Sequence, residues 1–186
     1  MDAARWDDLF SDLEAELSAA DAADLRGEVA DRTRREHALL RIVDRLRPAI
    51  GYQVQVRLAA GGLVSGRLAE SGADWLLIDE GATAVLVPLT HLLSVGGLGA
   101  LSSPPGSEGR VGAALDLRHV LRRLARDRAA VTIGLVDGSS VVGTLDRVGL
   151  DFVDVAEHPA GEFRRPGAVR QVRALLLSAI TLVRVG

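Results

Sequence analysis

The strongest constraint on the fold of this chain is an internal repeat. The 25 residues from Val54 to Ile78 align without a gap on those from Val131 to Val155, 77 positions later, and 8 of the 25 pairs are identical. A second segment, Val87 to Val95, aligns on Leu175 to Val183 at an offset of 88, so the second copy carries 11 extra residues before it. A repeat of this length predicts two copies of one structural unit.

Each copy predicts five short strands. In the first copy Val54, Val56 and Leu58 alternate with polar residues, which is the period of a half-buried strand. A glycine at the first turn can take a positive φ, and a glycine inside the second strand favours a bend or a close backbone approach. These glycines are Gly61 and Gly66 in the first copy and Gly138 and Gly143 in the second.

Helices are predicted before each copy. Apolar residues at spacings of three and four predict an acidic helix over residues 1–20 and a longer one over Asp21–Leu46, which Pro48 ends. A third helix is predicted over Ala113–Arg128. The predicted organisation is a helical region over residues 1–50, a first unit over 51–97, a linker rich in glycine, proline and serine over 98–112, and a helix with the second unit over 113–186.

The repeat unit resembles the Sm/LSm family of small, strongly bent β-barrels, through its leading helix, glycine turn, glycine-bent second strand and short corner between strands four and five. Other small barrels, of the SH3-like and PRC types, share much of this pattern. The resemblance implies an α+β fold in which an N-terminal helical region precedes two tandem, five-stranded, strongly bent Sm-like (SH3-like) barrels.

The positions by which members of that family bind RNA are not matched here. The family's aspartate six residues after the bend glycine is replaced by Gly72 and Gly149, and its charged pair at the last corner reads Leu89-Thr90 and Leu177-Ser178. Neither corner supplies the positive charge on which RNA binding depends. The resemblance therefore implies the fold without the familiar RNA pocket.

Family members also assemble into rings by pairing the fourth strand of one barrel with the fifth strand of the next. Exposed apolar strand edges are a liability unless they are paired. The resemblance therefore implies that the two units pair with each other, with another copy, or both. The candidate association edges are the apolar runs of the fourth strands, Val85, Leu86, Val87, Leu175, Leu176 and Leu177.

The charge of the chain is distributed unevenly. Residues 1–109 carry 17 acidic residues and 10 arginines, whereas residues 110–186 carry 8 acidic residues and 12 arginines. Such a split is compatible with a nucleic-acid face on the second half, or with an acidic helix over residues 1–20 that neutralises it. The candidate nucleic-acid face comprises Arg118, Arg122, Arg123, Arg126, Arg164, Arg165, Arg170 and Arg173.

Catalytic and metal-binding patterns are not evident. The histidines His37, His91, His119 and His158 lack partners at ligand spacing, and neither a nucleophile elbow nor a phosphate-binding loop occurs. The repeated Asp74 and Asp151 indicate a structural role, such as accepting hydrogen bonds from turn amides. We expect no enzyme activity, no cofactor, no metal and no small-molecule substrate.

A membrane span is not predicted. Residues 81–107 lack charged side chains, but they contain Pro88 and a glycine cluster, which favour a hairpin and a linker. The acidic N-terminus does not resemble a signal peptide, and the absence of cysteine fits a reducing cytoplasm.

Two functions remain open from the sequence. The first is a non-catalytic assembly or scaffold protein whose tandem units bind a protein partner or each other. The second is an atypical RNA- or DNA-binding protein that uses the arginine-rich face of the second unit, since phosphate contacts need only suitably placed arginines.

Overall fold

The computed structural model of the chain describes residues 31–59, 61–107, 115–159 and 169–186. The predicted helix over residues 1–20, the first part of the predicted helix over Asp21–Leu46, and Arg164 and Arg165 lie outside these ranges. The chain forms two compact units, Met1–Leu40 and Arg41–Gly186. In the first unit, residues 31–38 are helical, and the Arg32 guanidinium pairs with Glu36 one turn away at 3.1 Å.

The second unit begins with a short helix. Residues 39–41 are not helical, so a continuous helix up to Leu46 is a wrong prediction. Helix α1 (Ile42–Leu46) starts after Arg41, whose backbone amide donates to Asp44 Oδ2 at 2.9 Å and so fixes a new helix start. A 3₁₀ turn (Arg47–Ala49) follows and accommodates Pro48 in its first turn, where a missing N–H is tolerated.

Five strands fall in each copy of the repeat, as predicted. The strands of the first copy are β1 (Gln53–Leu58), β2 (Leu63–Ser71), β3 (Trp75–Asp79), β4 (Ala84–Pro88) and β5 (Leu92–Gly96). The second copy starts with helix α2 (Leu117–Asp127) and continues with β6 (Ala130–Leu135), β7 (Ser140–Val148), β8 (Phe152–Glu157), β9 (Gln171–Leu176) and β10 (Ile180–Val185). A 3₁₀ turn precedes the last strand of each copy, at Leu89–His91 and Leu177–Ala179.

The strands of the described ranges form one antiparallel sheet, with ten strands in the order β5-β1-β2-β3-β4-β10-β6-β7-β8-β9. The prediction of two tandem five-stranded, strongly bent Sm-like barrels is therefore wrong. In each copy the fifth strand pairs with the first, but the fourth strand does not return to the fifth. Instead β4 pairs with β10 of the other copy, so the free side of β4 extends the sheet rather than closing a barrel.

The core is divided between two clusters that meet where β4 and β10 pair. One cluster holds residues of α1 and the first copy, such as Leu46, Val56 and Ile78. The other holds residues of α2 and the second copy, together with Trp75 and Leu86 from the first copy. Burial of apolar surface thus joins the two copies across the repeat boundary.

The repeated strand glycines lie where neighbouring backbones approach each other closely. A side-chain carbon at Gly66 would overlap the carbonyl oxygen of Asp79, and one at Gly143 would overlap that of Ala156. Both glycines lie on the second strand of their copy, close to a shift in its register with the third strand. The turn glycines Gly61 and Gly138 have φ of +78° and +82°.

Part of the predicted linker packs on α1. Leu98 is buried in the first core cluster, and the Ser103 amide donates to the carbonyl oxygen of Asp44 at 2.7 Å. The Arg45 guanidinium also donates to the carbonyl oxygen of Gly99 at 2.5 Å. The described part of this stretch is therefore held against the helix by several contacts.

Candidate association edges

The pairing of β4 with β10 is named the inter-repeat joint. Leu86 lies opposite Val183 in it, and both side chains are almost fully buried. At one end the Arg184 guanidinium pairs with Glu80 at 3.0 Å. At the 3₁₀ turns, His91 Nε2 lies 2.7 Å from the carbonyl oxygen of Ser178, so it is the protonated nitrogen that donates. Backbone pairing, apolar burial and two polar contacts thus hold the joint.

The sheet ends at β5 and β9, and their outer sides are named the open edges. Among the strands of the described ranges, β5 pairs only with β1 and β9 only with β8. Large apolar side chains are exposed here, with Leu93 at 67%, Val172 at 57% and Leu176 at 57% of their full surface. By the repeat, β9 is the equivalent of β4 and β5 is the equivalent of β10. The open edges are thus the repeat equivalents of the two strands that pair in the joint.

The predicted association edges divide between these two places. Val85, Leu86 and Val87 lie in β4 and are buried, with β10 paired alongside. In the second copy Leu175 is buried, Leu176 is exposed on β9, and Leu177 lies half-buried in the 3₁₀ turn. Only the run of the second copy is therefore at an open edge.

A helix contact accompanies the inter-repeat joint. Asp74 Oδ1 accepts a hydrogen bond from the Leu117 amide at 2.8 Å, and Trp75 Nε1 donates to the carbonyl oxygen of Leu115 at 2.9 Å. Trp75 is 3% exposed and shares a core cluster with Leu117 and Leu121. Asp74 and Trp75 are named the first socket, because they hold the start of α2. The repetition of Asp74 and Trp75 as Asp151 and Phe152 was the sequence signal for this site.

The arginines of α2 differ in their partners. Arg118 Nε donates to Asp116 Oδ2 at 2.8 Å. Burial raises the pKa of Asp116, but hydrogen bonds from the Arg118 side chain and the His119 amide outweigh it and hold the pKa below its ordinary value. Arg122, Arg123 and Arg126 are exposed, and no described residue forms a hydrogen bond or ion pair with their side chains. These three could meet an external anion.

The described arginines of the hairpin formed by β8 and β9, here named the edge hairpin, lie near a carboxylate. Arg173 Nε donates to Glu157, and the side-chain amide of Gln171 donates to the same carboxylate at 3.0 Å. These hydrogen bonds, from Arg173 first and then Gln171, hold the pKa of Glu157 below its ordinary value, and the charge of Arg170 acts in the same direction. The positive charge of Arg170 and Arg173 is thus partly neutralised within the hairpin.

The described ranges also contain a buried polar pair and a surface depression. His158, which lacks a partner at ligand spacing in the sequence, is 3% exposed, and its Nε2 lies 2.8 Å from the hydroxyl of Thr144, which is 2% exposed. A depression of about 410 Å³ is lined by Gln53, Ser65, Arg67 and Asp79, of which Arg67 and Asp79 form an ion pair at 2.6 Å. In the described ranges no group of three or more acidic, histidine or cysteine residues is placed to hold a metal.

The described helices are too short or too polar to cross a lipid bilayer. The chain matches no model of a known protein family, and no curated protein sequence is significantly similar to it. The resemblance to the Sm/LSm family therefore stays a prediction.

Proposed function

We propose that this chain is a non-catalytic assembly protein that associates with other molecules of itself by extending its sheet. Strand β9 of one molecule pairs with β5 of the next molecule. The observation that carries the proposal is the inter-repeat joint, in which the equivalent strands β4 and β10 already pair within one chain. The absence of cysteine favours the reducing cytoplasm as the place where this occurs.

The joint also supplies the expected register. Within the chain, Val183 lies opposite Leu86 and Arg184 opposite Val85. The repeat relates these strands by 88 positions, so each residue can be replaced by its equivalent in the other repeat unit. This places Val95 of one molecule opposite Ala174 of the next molecule, and Gly96 opposite Arg173. A β-carbon at Gly96 would have only the carbonyl oxygen of Gln55 nearby, at 3.8 Å, so the face of the sheet is uncrowded at this position of β5.

The association between copies is expected to be weaker than the joint. The ion pair of Arg184 with Glu80 has no counterpart, because Gly96 takes the place of the arginine. The hydrogen bond of His91 is also lost, since Ala179 is its equivalent. In addition, strands of one chain meet at a high effective concentration, which separate copies lack. We therefore expect a reversible, concentration-dependent assembly.

Its geometry is head to tail. The two edges that meet are different surfaces, so each added copy exposes the same open edge again. Such heterologous contacts give closed rings if the rotation closes and filaments if it does not.

The test is sedimentation velocity of the full chain over a wide range of concentration. The wild-type chain is expected to associate, and Ala174→Lys is expected to abolish association, because it places a charge on β9 opposite Val95 of the partner. Leu63→Lys is the matched control, because Leu63 is exposed but lies on β2 inside the sheet. A wild-type chain that stays monomeric, or equal effects of the two variants, would show the proposal to be wrong.

A second candidate function, nucleic-acid binding, is supported by one observation. Arg122, Arg123 and Arg126 are exposed on one helix and form no ion pair with another described residue, although the charge of Arg122 also acts on Asp116. The test is binding of duplex DNA and single-stranded RNA at several salt concentrations. Binding that weakens with salt, and whose salt dependence falls by about one for each arginine changed to glutamine, would support it. Lack of binding at low salt would exclude it.

A further inference from the structure

The inter-repeat joint has two components, a strand pair and a helix contact. The first socket lies at the start of β3 in the first copy, where Asp74 precedes the strand and Trp75 begins it. The helix that it holds, α2, belongs to the copy whose β10 pairs with β4. The strand pair and the helix contact therefore join the same two copies of the repeat.

The second copy contains the same socket without its helix. Gly149 donates its amide to the carbonyl oxygen of Phe152 at 2.8 Å, as Gly72 does to that of Trp75 at 2.9 Å. The carbonyl oxygen of Asp151 accepts from the amide of Leu177 at 2.8 Å, just as that of Asp74 accepts from Leu89 at 2.8 Å. The same two backbone hydrogen bonds thus form in the equivalent loops of both copies. Asp151 and Phe152 are named the second socket.

The side chains of the second socket lack the contacts of the first. Asp151 is exposed, and no residue of the described ranges forms a hydrogen bond or ion pair with its carboxylate. Phe152 is only half-buried, whereas its equivalent Trp75 is 3% exposed. A carboxylate and an aromatic ring are thus placed as in the first socket, with their outer surfaces uncovered.

The segment that matches this socket is the start of α1. Helices α1 and α2 begin after Arg41 and Asp116, 75 residues apart, and each leads into the first strand of its copy. At this offset Leu46 corresponds to Leu121, and both are fully buried beneath their helices. Each helix therefore packs a buried leucine into the core cluster of its own copy.

The first residues of the two helices differ in burial. Leu117 of α2 is 6% exposed, because the first socket covers it, whereas Ile42 of α1 is 42% exposed. The amide of a first helical residue has no partner within its helix. The exposed Ile42 thus offers the two groups, an amide and an apolar side chain, that Asp74 and Trp75 engage in Leu117.

We propose that the second socket of one molecule binds Ile42 of another molecule of this chain. The Asp151 carboxylate accepts a hydrogen bond from the Ile42 amide, and Phe152 covers the Ile42 side chain. This inference rests on the proposed sheet extension and adds a specificity-determining contact to it. The sheet edge alone offers backbone groups that many strands could pair with, whereas the socket requires a helix at a fixed distance from the paired strand. The contact therefore selects a second copy of this chain over an unrelated strand.

Cross-linking tests the contact directly, because the chain contains no cysteine. Ile42→Cys and Phe152→Cys chains are mixed with a short thiol-reactive cross-linker, and the linked peptides are identified by mass spectrometry. The mixture is expected to give a dimer linked between positions 42 and 152, which neither variant forms alone. The pair Gly96→Cys and Arg173→Cys reports separately on the sheet extension.

The possible outcomes separate the two proposals. A link at 96–173 without one at 42–152 would overturn the socket contact and leave the sheet extension standing. Absence of both links would overturn both. A link at 42–152 alone would show a socket contact formed without the sheet extension, which contradicts the proposal that the two contacts form together.

An independent measurement uses Asp151. Asp151→Ala is expected to weaken association about tenfold, which is the effect of losing one hydrogen bond to a charged group. Asp151→Asn keeps an acceptor oxygen and is expected to lose less. The unfolding midpoint of the monomer at low concentration is expected to be unchanged in both variants, because Asp151 has no side-chain partner among the described residues. A lowered midpoint with unchanged association would instead assign Asp151 a role within the chain.

Discussion

The inter-repeat joint and the open edges are built from equivalent strands, yet their surfaces differ. In the joint, Leu86 and Val183 are almost fully buried, whereas their equivalents Ala174 and Val95 are exposed and half-buried. The bulged residue of the fifth strand shows the same contrast, since Thr181 is 2% exposed and Leu93 is 67% exposed. The same repeat position is thus core in one place and surface in the other. At these positions, burial follows strand pairing.

The side chains have also diverged in the direction of this difference. The joint has a leucine where β9 has an alanine, and an arginine where β5 has a glycine. The joint therefore has a larger apolar contact area than the open edges, and it has an ion pair. The open edges retain the backbone pattern with fewer side-chain contacts, which suits reversible pairing.

The largest expected contrast comes from a lysine at equivalent positions of the two fourth strands. Leu86→Lys buries a charge without a partner in the joint and is expected to destabilise the chain by about 4 kcal/mol or more. Ala174→Lys is expected to change stability by less than about 0.5 kcal/mol, because the site is exposed. Urea unfolding at low protein concentration measures both. Equal losses would mean that the edge of β9 is buried by another part of the chain.

The aromatic residues of the two sockets give the next contrast. Trp75→Ala removes a buried side chain from the core and is expected to cost about 3–5 kcal/mol. Phe152→Ala removes a half-buried ring, and about half of that loss is expected at low concentration. At concentrations where copies associate, the cost of Phe152→Ala should rise towards that of Trp75→Ala. A cost that is independent of concentration contradicts the binding of a second copy at Phe152.

Asp74 and Asp151 form a smaller matched pair. Asp74→Ala leaves the Leu117 amide without its acceptor, and a loss of about 1 kcal/mol is expected, as for the removal of a helix cap. Asp151→Ala is expected to leave the unfolding free energy of the monomer unchanged. Thermal unfolding of both variants under the same dilute conditions tests the difference. A similar loss in both would show that Asp151 already has a partner within its own chain.

The sequence identified the elements of this fold better than their pairing. Alternation in β1 and the glycines at 61 and 66 depend on local backbone geometry, so five strands per copy could be predicted. The resemblance implied that a fourth strand pairs with the fifth strand of the other unit or of another molecule, but the similar apolar patterns of β5 and β10 do not choose between these partners. The prediction of two barrels failed because β4 and β10 pair within the chain and so extend one sheet.

The candidate site was predicted in the same incomplete way. Repetition marked Asp74 and Asp151 as structural, but the partner of Asp74 is the Leu117 amide, 43 residues away. Nothing in the local pattern around Asp74 specifies that distance. Likewise the apolar runs at 85–87 and 175–177 have similar sequences, although only the second lies at an open edge of the sheet.

The smallest expected effects concern two equivalent carboxylates. Glu80 pairs with Arg184 across the joint, whereas Glu157 pairs with Arg173 inside the edge hairpin. Both pairs are partly exposed, so Glu80→Gln and Glu157→Gln are each expected to cost only about 0.2–1 kcal/mol. Urea unfolding at neutral pH, with double variants that also remove the arginine, isolates each pair.

The pH dependence then distinguishes the hairpin. Since hydrogen bonds from Arg173 and Gln171 hold the folded-state pKa of Glu157 below its unfolded value, its contribution to stability is present above the unfolded pKa and is lost as pH falls through the folded one. Glu157→Gln should therefore lose less stability than the wild-type chain in this acid range. Nuclear magnetic resonance titration of the Glu157 carboxyl gives the folded pKa directly. A value at or above the ordinary one would mean that Arg173 is not held by Glu157, and its charge would then be available to a partner at the open edge.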